Sequence, residues 1–372
     1  MQKSQNTALY WESEPSRWDS DEEGTLVCCQ VRQETHDVKS FFFRPLQPGL
    51  FRFLPGQFIT LELDIDGETI HRSYTISSSP TRPDVISITV KRQPGGLVSN
   101  WLHDHMQIGR SVQVLGPAGE FSCVHHPASQ YLFLSGGSGI TPLMSMARSF
   151  HELAEDHDIV FVHSARTSDD IIFRHELDLM AFNQAQFRPA FICQKADPDP
   201  GQRISSGFLT LEALQAIAPD FMAREVFTCG PPPYMAAVRD MLAGAGFDMR
   251  HYHEESFTFD ELPAEVQAET MINVSTGNGD DTTNPDTFSV ELTKSGITVQ
   301  CGPDQFVLDA ARAAGLRLPS SCSKGLCGTC KSRLISGQVE IKHGGGIRQR
   351  EIDQGLFLPC CSKPLGNLVV ER

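Results

Sequence analysis

The stretch Cys322-Ser-Lys-Gly-Leu-Cys327-Gly-Thr-Cys330, with Cys360 further on, decides the fold of one domain and points to the rest. Its C-x4-C-x2-C spacing with a remote fourth cysteine is the plant-type pattern of a [2Fe–2S] cluster. Three thiolates from one tight loop require small residues between them, and Gly325, Gly328 and Thr329 lie there. Backbone N–H groups of such a loop can approach the sulfur atoms and tune the potential. The pattern predicts that the cluster ligands are Cys322, Cys327, Cys330 and Cys360.

A structural Zn²⁺ site is the alternative, because four cysteines also suit zinc. This region would then be an interaction domain attached to the rest of the chain, and a visible spectrum would lack the bands of an iron–sulfur centre. Zinc sites usually pair two C-x2-C knuckles, which this chain does not have here. We interpret Cys361 as a packing residue, because Pro364 falls four residues after Cys360, as in the last-ligand segment of plant-type ferredoxins.

Composition limits the class of protein. The chain has 372 residues, 40% hydrophobic and 21% charged, so two or three soluble domains are expected. No apolar run is long enough to span a membrane, and the polar N-terminus has no signal-peptide pattern. The eleven cysteines are the four candidate ligands and scattered others, which favours a reducing cytoplasm. The net charge of −15 argues against a nucleic-acid partner.

The order of strand and helix signals predicts a multidomain chain. Short β-rich runs separated by turn residues predict an antiparallel β-barrel. They are Val27–Val31, Ser40–Phe43, Phe58–Leu63, Ser73–Ile76 and Ile86–Val90. From Tyr131 onward strands alternate with helices, among them helices predicted at 142–153 and near 171–182, which predicts an α/β domain with a parallel sheet. A predicted hairpin of Phe288–Leu292 and Ile297–Cys301, followed by a helix, precedes the cysteine loop in a C-terminal α+β domain. The expected segments are a polar tail 1–23, a β-barrel 24–125, an α/β domain 126–257, an acidic linker 258–285 and a cluster domain 286–372.

Two motifs of the barrel suit a flavin dinucleotide. Arg72-Ser73-Tyr74-Thr75 offers a guanidinium for a phosphate, an aromatic ring for stacking and a hydroxyl for a ring nitrogen, although so short a motif also occurs on surface strands. Gly95-Gly96-Leu97-Val98-Ser99 places glycines at a helix N-terminus, which attracts anions. A second phosphate site predicts FAD rather than FMN.

Two motifs of the α/β region suit a nicotinamide dinucleotide. Gly136-Gly137-Ser138-Gly139-Ile140-Thr141-Pro142 follows a strand and opens a helix, the arrangement that holds a pyrophosphate. Cys229-Gly230-Pro231 ends a later strand, where ligands bind open α/β sheets, although a buried cysteine is more often a small packing residue. Beyond the second strand, Arg166 suits the 2′-phosphate of NADPH whereas Asp169 and Asp170 suit the ribose of NADH.

Together and in this order, these motifs resemble the ferredoxin–NADP reductase family over residues 24–257. With the cysteine loop included, the whole chain resembles the members of that family that carry a C-terminal ferredoxin domain of the β-grasp type. The resemblance implies that FAD binds at Arg72, Ser73, Tyr74, Thr75, Lys91, Gly95, Gly96, Val98 and Ser99. It implies that NADH, with NADPH as the alternative, binds at Gly136, Gly137, Gly139, Thr141, Ser164, Arg166, Cys229, Gly230 and Pro231. It further implies that Phe257 packs on the flavin and that Thr75, Cys229 and Glu255 take part in hydride transfer.

The resemblance also implies a partner. Two segments are similar to the corresponding segments of reductases that serve Rieske-type oxygenases in glycine betaine N-demethylation. They are His163-Ser-Ala-Arg166 and Cys360-Cys-Ser362. The chain lacks a Rieske-type ligand pattern of its own, so an external oxygenase subunit would receive the electrons. The implied route runs from NADH to FAD to the [2Fe–2S] cluster, with the flavin converting two-electron into one-electron chemistry. The alternatives are the hybrid-cluster protein, or an oxygenase for another quaternary amine or an aromatic compound.

Overall fold

The computed structural model describes residues 17–18, 24–195, 204–256, 287–316, 318, 325, 328, 330–343, 347 and 349–372. They divide into two compact units, one within residues 1–58 and 74–257 and the other within 59–73 and 258–372. The predicted linker 258–285, Phe257, Cys322 and Cys327 lie outside the described residues. Of the predicted tail 1–23, only Arg17 and Trp18 are described; the Trp18 ring is buried with its centroid 5.1 Å from that of Phe51.

The first sheet is six-stranded, in the order β4-β3-β6-β1-β2-β5, and its strands are Thr25–Thr35 (β1), Val38–Pro45 (β2), Phe58–Ile65 (β3), Glu68–Thr75 (β4), Ile86–Lys91 (β5) and Ser111–Ala118 (β6). β1 pairs antiparallel with β2 and with β6, and β2 pairs antiparallel with β5. A helix, Leu97–His105 (α1), lies between β5 and β6. Five of these strands were predicted, whereas β6 was not.

The second sheet is parallel, in the order β10-β9-β8-β7-β11-β12. Its strands are Gln130–Gly136 (β7), Asp158–Thr167 (β8), Phe187–Lys195 (β9), Ile204–Ser206 (β10), Glu225–Gly230 (β11) and Tyr252–Ser256 (β12). The helices between them are Ile140–Glu152 (α2), Arg174–Asn183 (α3), Leu211–Ile217 (α4) and Pro232–Gly244 (α5). The chain order reverses at β7, so a crevice opens at the carboxyl ends of β7 and β11.

Both faces of this parallel sheet are buried, as its apolar strands predict. Phe133 and Phe161 point into a core shared with α2 and α3, whereas Leu132 and Val160 point into a second core under α4 and α5. Alternate residues of a strand point to opposite faces. The segment Tyr131–Leu134 therefore contributes to both cores, and it places the glycine loop after β7 at the crevice.

The third sheet has five strands in the order β14-β13-β19-β15-β17, with a separate pair of β16 and β18. The strands are Phe288–Leu292 (β13), Ile297–Cys301 (β14), Ser332–Ser336 (β15), Val339–Ile341 (β16), Leu356–Phe357 (β17), Ser362–Pro364 (β18) and Leu368–Glu371 (β19). The helices are Val307–Ala313 (α6) and Gln349–Asp353 (α7). β13 pairs antiparallel with β14 and parallel with β19, so the sheet is mixed. The predicted fold class, an antiparallel, a parallel and a C-terminal α+β part, is confirmed.

No helix within the described ranges is both long enough and apolar enough to cross a lipid bilayer.

Candidate cofactor sites

The last residues of β4 include a buried hydroxyl without a protein partner. Thr75 is 4% exposed, and its Oγ1 has no hydrogen-bond partner within the described part of the chain. A buried hydroxyl that makes no hydrogen bond costs free energy, so such a group indicates a ligand atom opposite it. The Ser73 hydroxyl, by contrast, lies 2.9 Å from Thr60 Oγ1 and serves the sheet. Thr75 therefore fits the predicted contact with a flavin ring nitrogen.

The glycine turn before α1 leaves the N-terminus of that helix open. Gly95 has φ +71°, and Gly96 is the N-cap without a side-chain hydrogen bond. Ser99 Oγ accepts a hydrogen bond from the backbone N–H of Gln93 at 3.1 Å, and Asn100 Nδ2 donates to the Gly96 carbonyl at 2.7 Å. These contacts hold the turn in place while N–H groups at the start of α1 have no side-chain cap. The arrangement suits a phosphate. The sequence reading did not single out Asn100.

Lys91 ends β5 beside an acidic side chain. Its Nζ lies 3.2 Å from Asp37 Oδ2, and Arg166 Nη2 lies 3.2 Å from the same oxygen. Burial disfavours the charged carboxylate and by itself would raise the pKa of Asp37. The Lys91 charge and the hydrogen bonds to the carboxylate outweigh burial, so this pKa falls below its ordinary value. Two predicted cofactor-binding residues are thus joined through an aspartate that the sequence reading did not identify.

The glycine loop after β7 packs directly on the end of β11. A Cβ atom on Gly139 would lie 2.3 Å from the Cys229 carbonyl oxygen, so only glycine fits there. Gly137 has φ +53°, and α2 begins after Gly139 without a side-chain cap. Thr141 Oγ1 donates to the Ser138 carbonyl at 3.2 Å and steadies the first turn. The loop and the helix start form the anion site that the sequence predicts.

Cys229 and Glu255 lie side by side in register on the parallel strands β11 and β12. Burial raises the pKa of the Cys229 thiol well above its ordinary value, and the Glu255 carboxylate raises it further. The thiol is therefore neutral, and it forms a small apolar wall at the carboxyl end of β11 rather than a nucleophile. Phe257, which was predicted to pack on the flavin, lies outside the described residues.

Tyr234 and Ser164 are buried polar groups of the same crevice. Both hydroxyls are shielded from solvent, and they lie close enough to interact with each other. A Cβ atom would lie 3.1 Å from the Tyr234 ring if placed on Gly136 and 2.7 Å from it if placed on Gly230. The two glycines therefore leave room for the Tyr234 ring in the crevice. Burial raises the pKa of Tyr234, which keeps its hydroxyl protonated and able to donate. Tyr234 was missed, although its position after Pro231-Pro232-Pro233 could have indicated it.

His163 is a further buried polar residue on β8. Its Nδ1 lies 2.8 Å from Ser135 Oγ on β7, and its Nε2 has no hydrogen-bond partner in the described ranges. Burial lowers the pKa of His163 to about 3, and the nearby Lys91 charge acts in the same direction. The imidazole is therefore neutral at physiological pH. In the sequence, no local motif marks His163 as a site residue apart from the similarity of the segment His163-Ser-Ala-Arg166 to related reductases.

The described part of the cysteine site contains Cys330, Cys360 and two loop glycines. Cys330 and Cys360 are 3% and 4% exposed, and the backbone N–H of Gly325 donates to Cys360 Sγ at 3.2 Å. N–H groups aimed at sulfur are the arrangement that stabilises cluster thiolates. Cys361 is also buried, but its Sγ contacts the Leu358 carbonyl oxygen at 3.6 Å. The donor set fits the predicted cluster as far as it is described.

Three protein families match the chain in consecutive segments. Residues 26–123 match the oxidoreductase FAD-binding domain, residues 133–240 the oxidoreductase NAD-binding domain, and residues 290–365 the 2Fe-2S iron-sulfur cluster binding domain. The three predicted cofactors, FAD, a nicotinamide dinucleotide and a [2Fe–2S] cluster, are confirmed at the level of these domains.

Several characterised reductases are similar to the chain over nearly its whole length. The glycine betaine monooxygenase reductase subunit of Pseudomonas aeruginosa is 47% identical over 345 residues, covering 92% of this chain and 94% of its own. The subunit of the same name from Chromohalobacter salexigens is 45% identical over 350 residues, covering 92% and 94%. The stachydrine N-demethylase reductase subunit of Rhizobium meliloti is 41% identical over 346 residues, covering 93% and 96%.

The fold is also similar to that of a solved structure. Phthalate dioxygenase reductase superposes with a TM-score of 0.52 at 24% identity, over 95% of this chain and 100% of that one. This similarity supports the three-part fold.

Proposed function

Since the chain belongs to the family of monooxygenase reductase subunits with FAD-binding, NAD-binding and 2Fe-2S domains, we propose that it carries electrons from NADH to a Rieske-type oxygenase that N-demethylates glycine betaine. The observation that carries the proposal is the 47% identity over 92% of the chain with a reductase subunit of that name. The proposal keeps the predicted segments 1–23, 24–125, 126–257, 258–285 and 286–372. It includes a cytoplasmic location, since the described cysteines outside the cluster site are free thiols, which a reducing compartment maintains.

The flavin-binding residues of the proposal lie on β4, at the end of β5 and around the start of α1. Thr75 Oγ1 donates to or accepts from the flavin ring, which satisfies an otherwise orphaned buried hydroxyl. The uncapped turn at Gly95 and Gly96 binds a phosphate through its N–H groups. The remaining flavin contacts are the predicted ones, from Arg72, Ser73, Tyr74, Lys91, Val98, Ser99 and Phe257.

The nicotinamide site of the proposal is the crevice at the carboxyl ends of β7 and β11. Gly139 and the start of α2 bind the pyrophosphate, and the close packing of Gly139 on Cys229 sets the floor of the crevice. Cys229 excludes water and presents no charge, because its thiol stays protonated. Ser164 and Tyr234 supply hydroxyls for the nucleotide. The other contacts are the predicted ones, from Gly136, Gly137, Thr141, Arg166, Gly230, Pro231 and Glu255.

The cluster site of the proposal uses Cys322, Cys327, Cys330 and Cys360. The Gly325 N–H stabilises the Cys360 thiolate by a charge-assisted hydrogen bond. Arg372 adds a cation near this region; its Nε donates to Ser332 Oγ at 3.0 Å, two residues from Cys330. When bound, the flavin and the cluster together convert a two-electron hydride into single electrons for the acceptor.

An oxygenase that acts on a different N-methylated compound is the alternative electron acceptor. The Rhizobium meliloti relative, named for stachydrine N-demethylation, is 41% identical over 93% of the chain, so a different N-methylated compound is the alternative substrate of the partner oxygenase. In either case the reductase itself keeps the same cofactors and route.

Reconstitution tests the proposal. The purified protein, NADH and a glycine betaine oxygenase subunit should consume glycine betaine, and the same mixture without the reductase should not. The full-length Cys360→Ser variant should keep NADH-to-ferricyanide activity, which needs only the flavin, but should fail to support the oxygenase. Equal turnover by Cys360→Ser and the unmodified protein would reject the route through the cluster. Turnover of stachydrine but not of glycine betaine, with the matching oxygenases, would favour the alternative acceptor.

A further inference from the structure

Asp37, in the turn between β1 and β2, joins two basic side chains. Its Oδ2 lies 3.2 Å from Lys91 Nζ, at the end of β5, and 3.2 Å from Arg166 Nη2, near the end of β8. Its Oδ1 accepts a hydrogen bond from Thr35 Oγ1 at 3.0 Å. The Asp37 side chain is only 18% exposed. The hairpin β1–β2 thus holds a carboxylate in a fixed position against the parallel sheet.

Arg166 is bounded on its other side by Asp170. Their contact, from Nη2 to Oδ1, is 3.4 Å long. Asp170 is 7% exposed, and its Oδ2 accepts hydrogen bonds from the backbone N–H and the hydroxyl of Thr167 at 3.2 and 2.9 Å. It therefore cannot turn away without leaving these donors unpaired. The guanidinium of Arg166 lies between two anchored carboxylates, although 58% of its side chain is exposed.

The charges around Arg166 balance one another. Lys91 and Arg166 carry one positive charge each, and Asp37 and Asp170 one negative charge each. The lowered pKa of Asp37 keeps that carboxylate ionised at neutral pH. His36 lies on the outside of the group, 3.7 Å from Asp37 and 3.8 Å from Asp170. Arg166 therefore offers little net attraction to a further anion.

By the rule for open α/β sheets, this group lies on the side of the crevice that receives the adenosine ribose of a dinucleotide. Ser164 on β8 pairs in register with Gly136, the residue that opens the glycine loop, and Arg166 lies two residues further on. In open α/β sheets the end of the strand beside the pyrophosphate site contacts the ribose, where an acid favours NADH and a free arginine favours NADPH. A 2′-phosphate there would meet both carboxylates before it could pair with the guanidinium.

We propose that Asp37 is a specificity-determining residue, which selects NADH over NADPH by occupying Arg166 and placing a carboxylate beside the 2′ position. The inference rests on the proposed function, because it concerns the same nicotinamide site. Asp37, in the β1–β2 hairpin, is remote in sequence from the nucleotide motifs. With this inference it joins the residues that distinguish NADH from NADPH. The Asp37→Asn variant would leave the group with one net positive charge.

The test compares kcat/KM for NADH and NADPH in the full-length, cofactor-loaded protein, with ferricyanide as acceptor. The unmodified protein should prefer NADH. Asp37→Asn should raise the NADPH-to-NADH ratio of kcat/KM by roughly tenfold, the effect of about one charge-assisted hydrogen bond. The double variant Asp37→Asn/Arg166→Leu should lose that gain, because the freed guanidinium is what accepts the phosphate.

Glu34→Gln is the matched control. Glu34 lies in β1 and pairs with Arg32 at 2.7 Å, so the variant removes an ion pair of the same hairpin away from Arg166 and should keep the original ratio. An unchanged ratio in Asp37→Asn overturns the inference, and so does a gain that persists in the double variant. If the protein oxidises neither dinucleotide, the proposed function fails instead.

Fragment binding gives a second measurement that needs no variant and no turnover. By calorimetry, the full-length protein should bind 5′-AMP more tightly than 2′,5′-ADP, which adds only the 2′-phosphate. Tighter binding of 2′,5′-ADP would show that Arg166 is available to the phosphate, and would overturn the inference even if Asp37→Asn failed to fold.

Discussion

The backbone N–H of Gly325 donates a hydrogen bond to Cys360 Sγ at 3.2 Å, across 35 positions of sequence. The neighbouring Cys361 also approaches Gly325, since a Cβ on that glycine would lie 2.6 Å from Cys361 Sγ. The two adjacent thiols are equally buried but have different surroundings: one accepts an N–H and the other contacts a carbonyl oxygen. An N–H donor favours a thiolate, and a carbonyl oxygen favours a protonated thiol. Cys360 is therefore the better candidate ligand.

Serine variants of the two adjacent cysteines test this assignment. Cys360→Ser should remove the [2Fe–2S] absorption while FAD stays bound, because one of the four thiolates is lost. Cys361→Ser is the matched control, since it changes an equally buried neighbour, and it should keep the cluster bands. Loss of the bands in Cys361→Ser but not in Cys360→Ser would mean that the ligand is Cys361. The measurement is the visible spectrum with iron analysis.

A methyl group on Gly325 should prevent cluster loading. Gly325 has φ +71°, and the added Cβ would clash with Cys361. Gly296, in the turn between β13 and β14, has φ +65° and nothing within 4 Å of the added atom. Each alanine variant should lose about 1–2 kcal/mol of stability to backbone strain, but only Gly325→Ala should lose iron. Equal iron content in the two variants would contradict a steric requirement at Gly325.

Thr75→Val should weaken FAD binding without destabilising the apoprotein. The substitution removes a buried hydroxyl that has no described protein partner, so the apoprotein should keep or gain stability. FAD should bind more weakly by about 1 kcal/mol, the typical net value of one hydrogen bond. Thr89→Val is the control, because Thr89 Oγ1 is 2.7 Å from Ser40 Oγ and 2.9 Å from Ser77 Oγ, and should destabilise both forms. A destabilised Thr75→Val apoprotein would argue against a ligand contact.

His163 should make the protein less stable in mild acid. Its pKa is about 3 in the folded state and about 6.5 when unfolded, so between these values the unfolded state binds a proton that the folded state does not. Stability should therefore fall as pH drops below about 6.5, by up to roughly 1.4 kcal/mol per pH unit from this residue.

Denaturant unfolding between pH 7 and pH 5 measures that slope. His163→Gln cannot titrate and should give a shallower dependence on pH. His175→Gln, at an exposed position of α3, changes a histidine without altering a buried group and should keep the original slope. Identical slopes for His163→Gln and the unmodified protein would contradict the assignment.

The elements that sequence could predict are those with local signals. The helix predicted at 142–153 is observed as Ile140–Glu152, and the predicted hairpin Phe288–Leu292 with Ile297–Cys301 is observed with the same bounds. The strand β6 was missed, because it is partly exposed and ends in Gly116-Pro117-Ala118, which reads as a turn. The predicted helix 171–182 begins only at Arg174, because Phe173 takes a left-handed conformation before it.

The amino-acid sequence by itself determined the cysteine spacing, the glycine loops and the order of strands and helices, because these depend on residues close together in the chain. From them followed the fold class, the cofactors and the family resemblance. Only the tertiary structure decided which groups face one another: Asp37 beside Arg166, Gly139 on Cys229, and Tyr234 against Gly136 and Gly230. Such contacts join residues far apart in the chain, and the strand order that brings them together is not encoded in any local pattern.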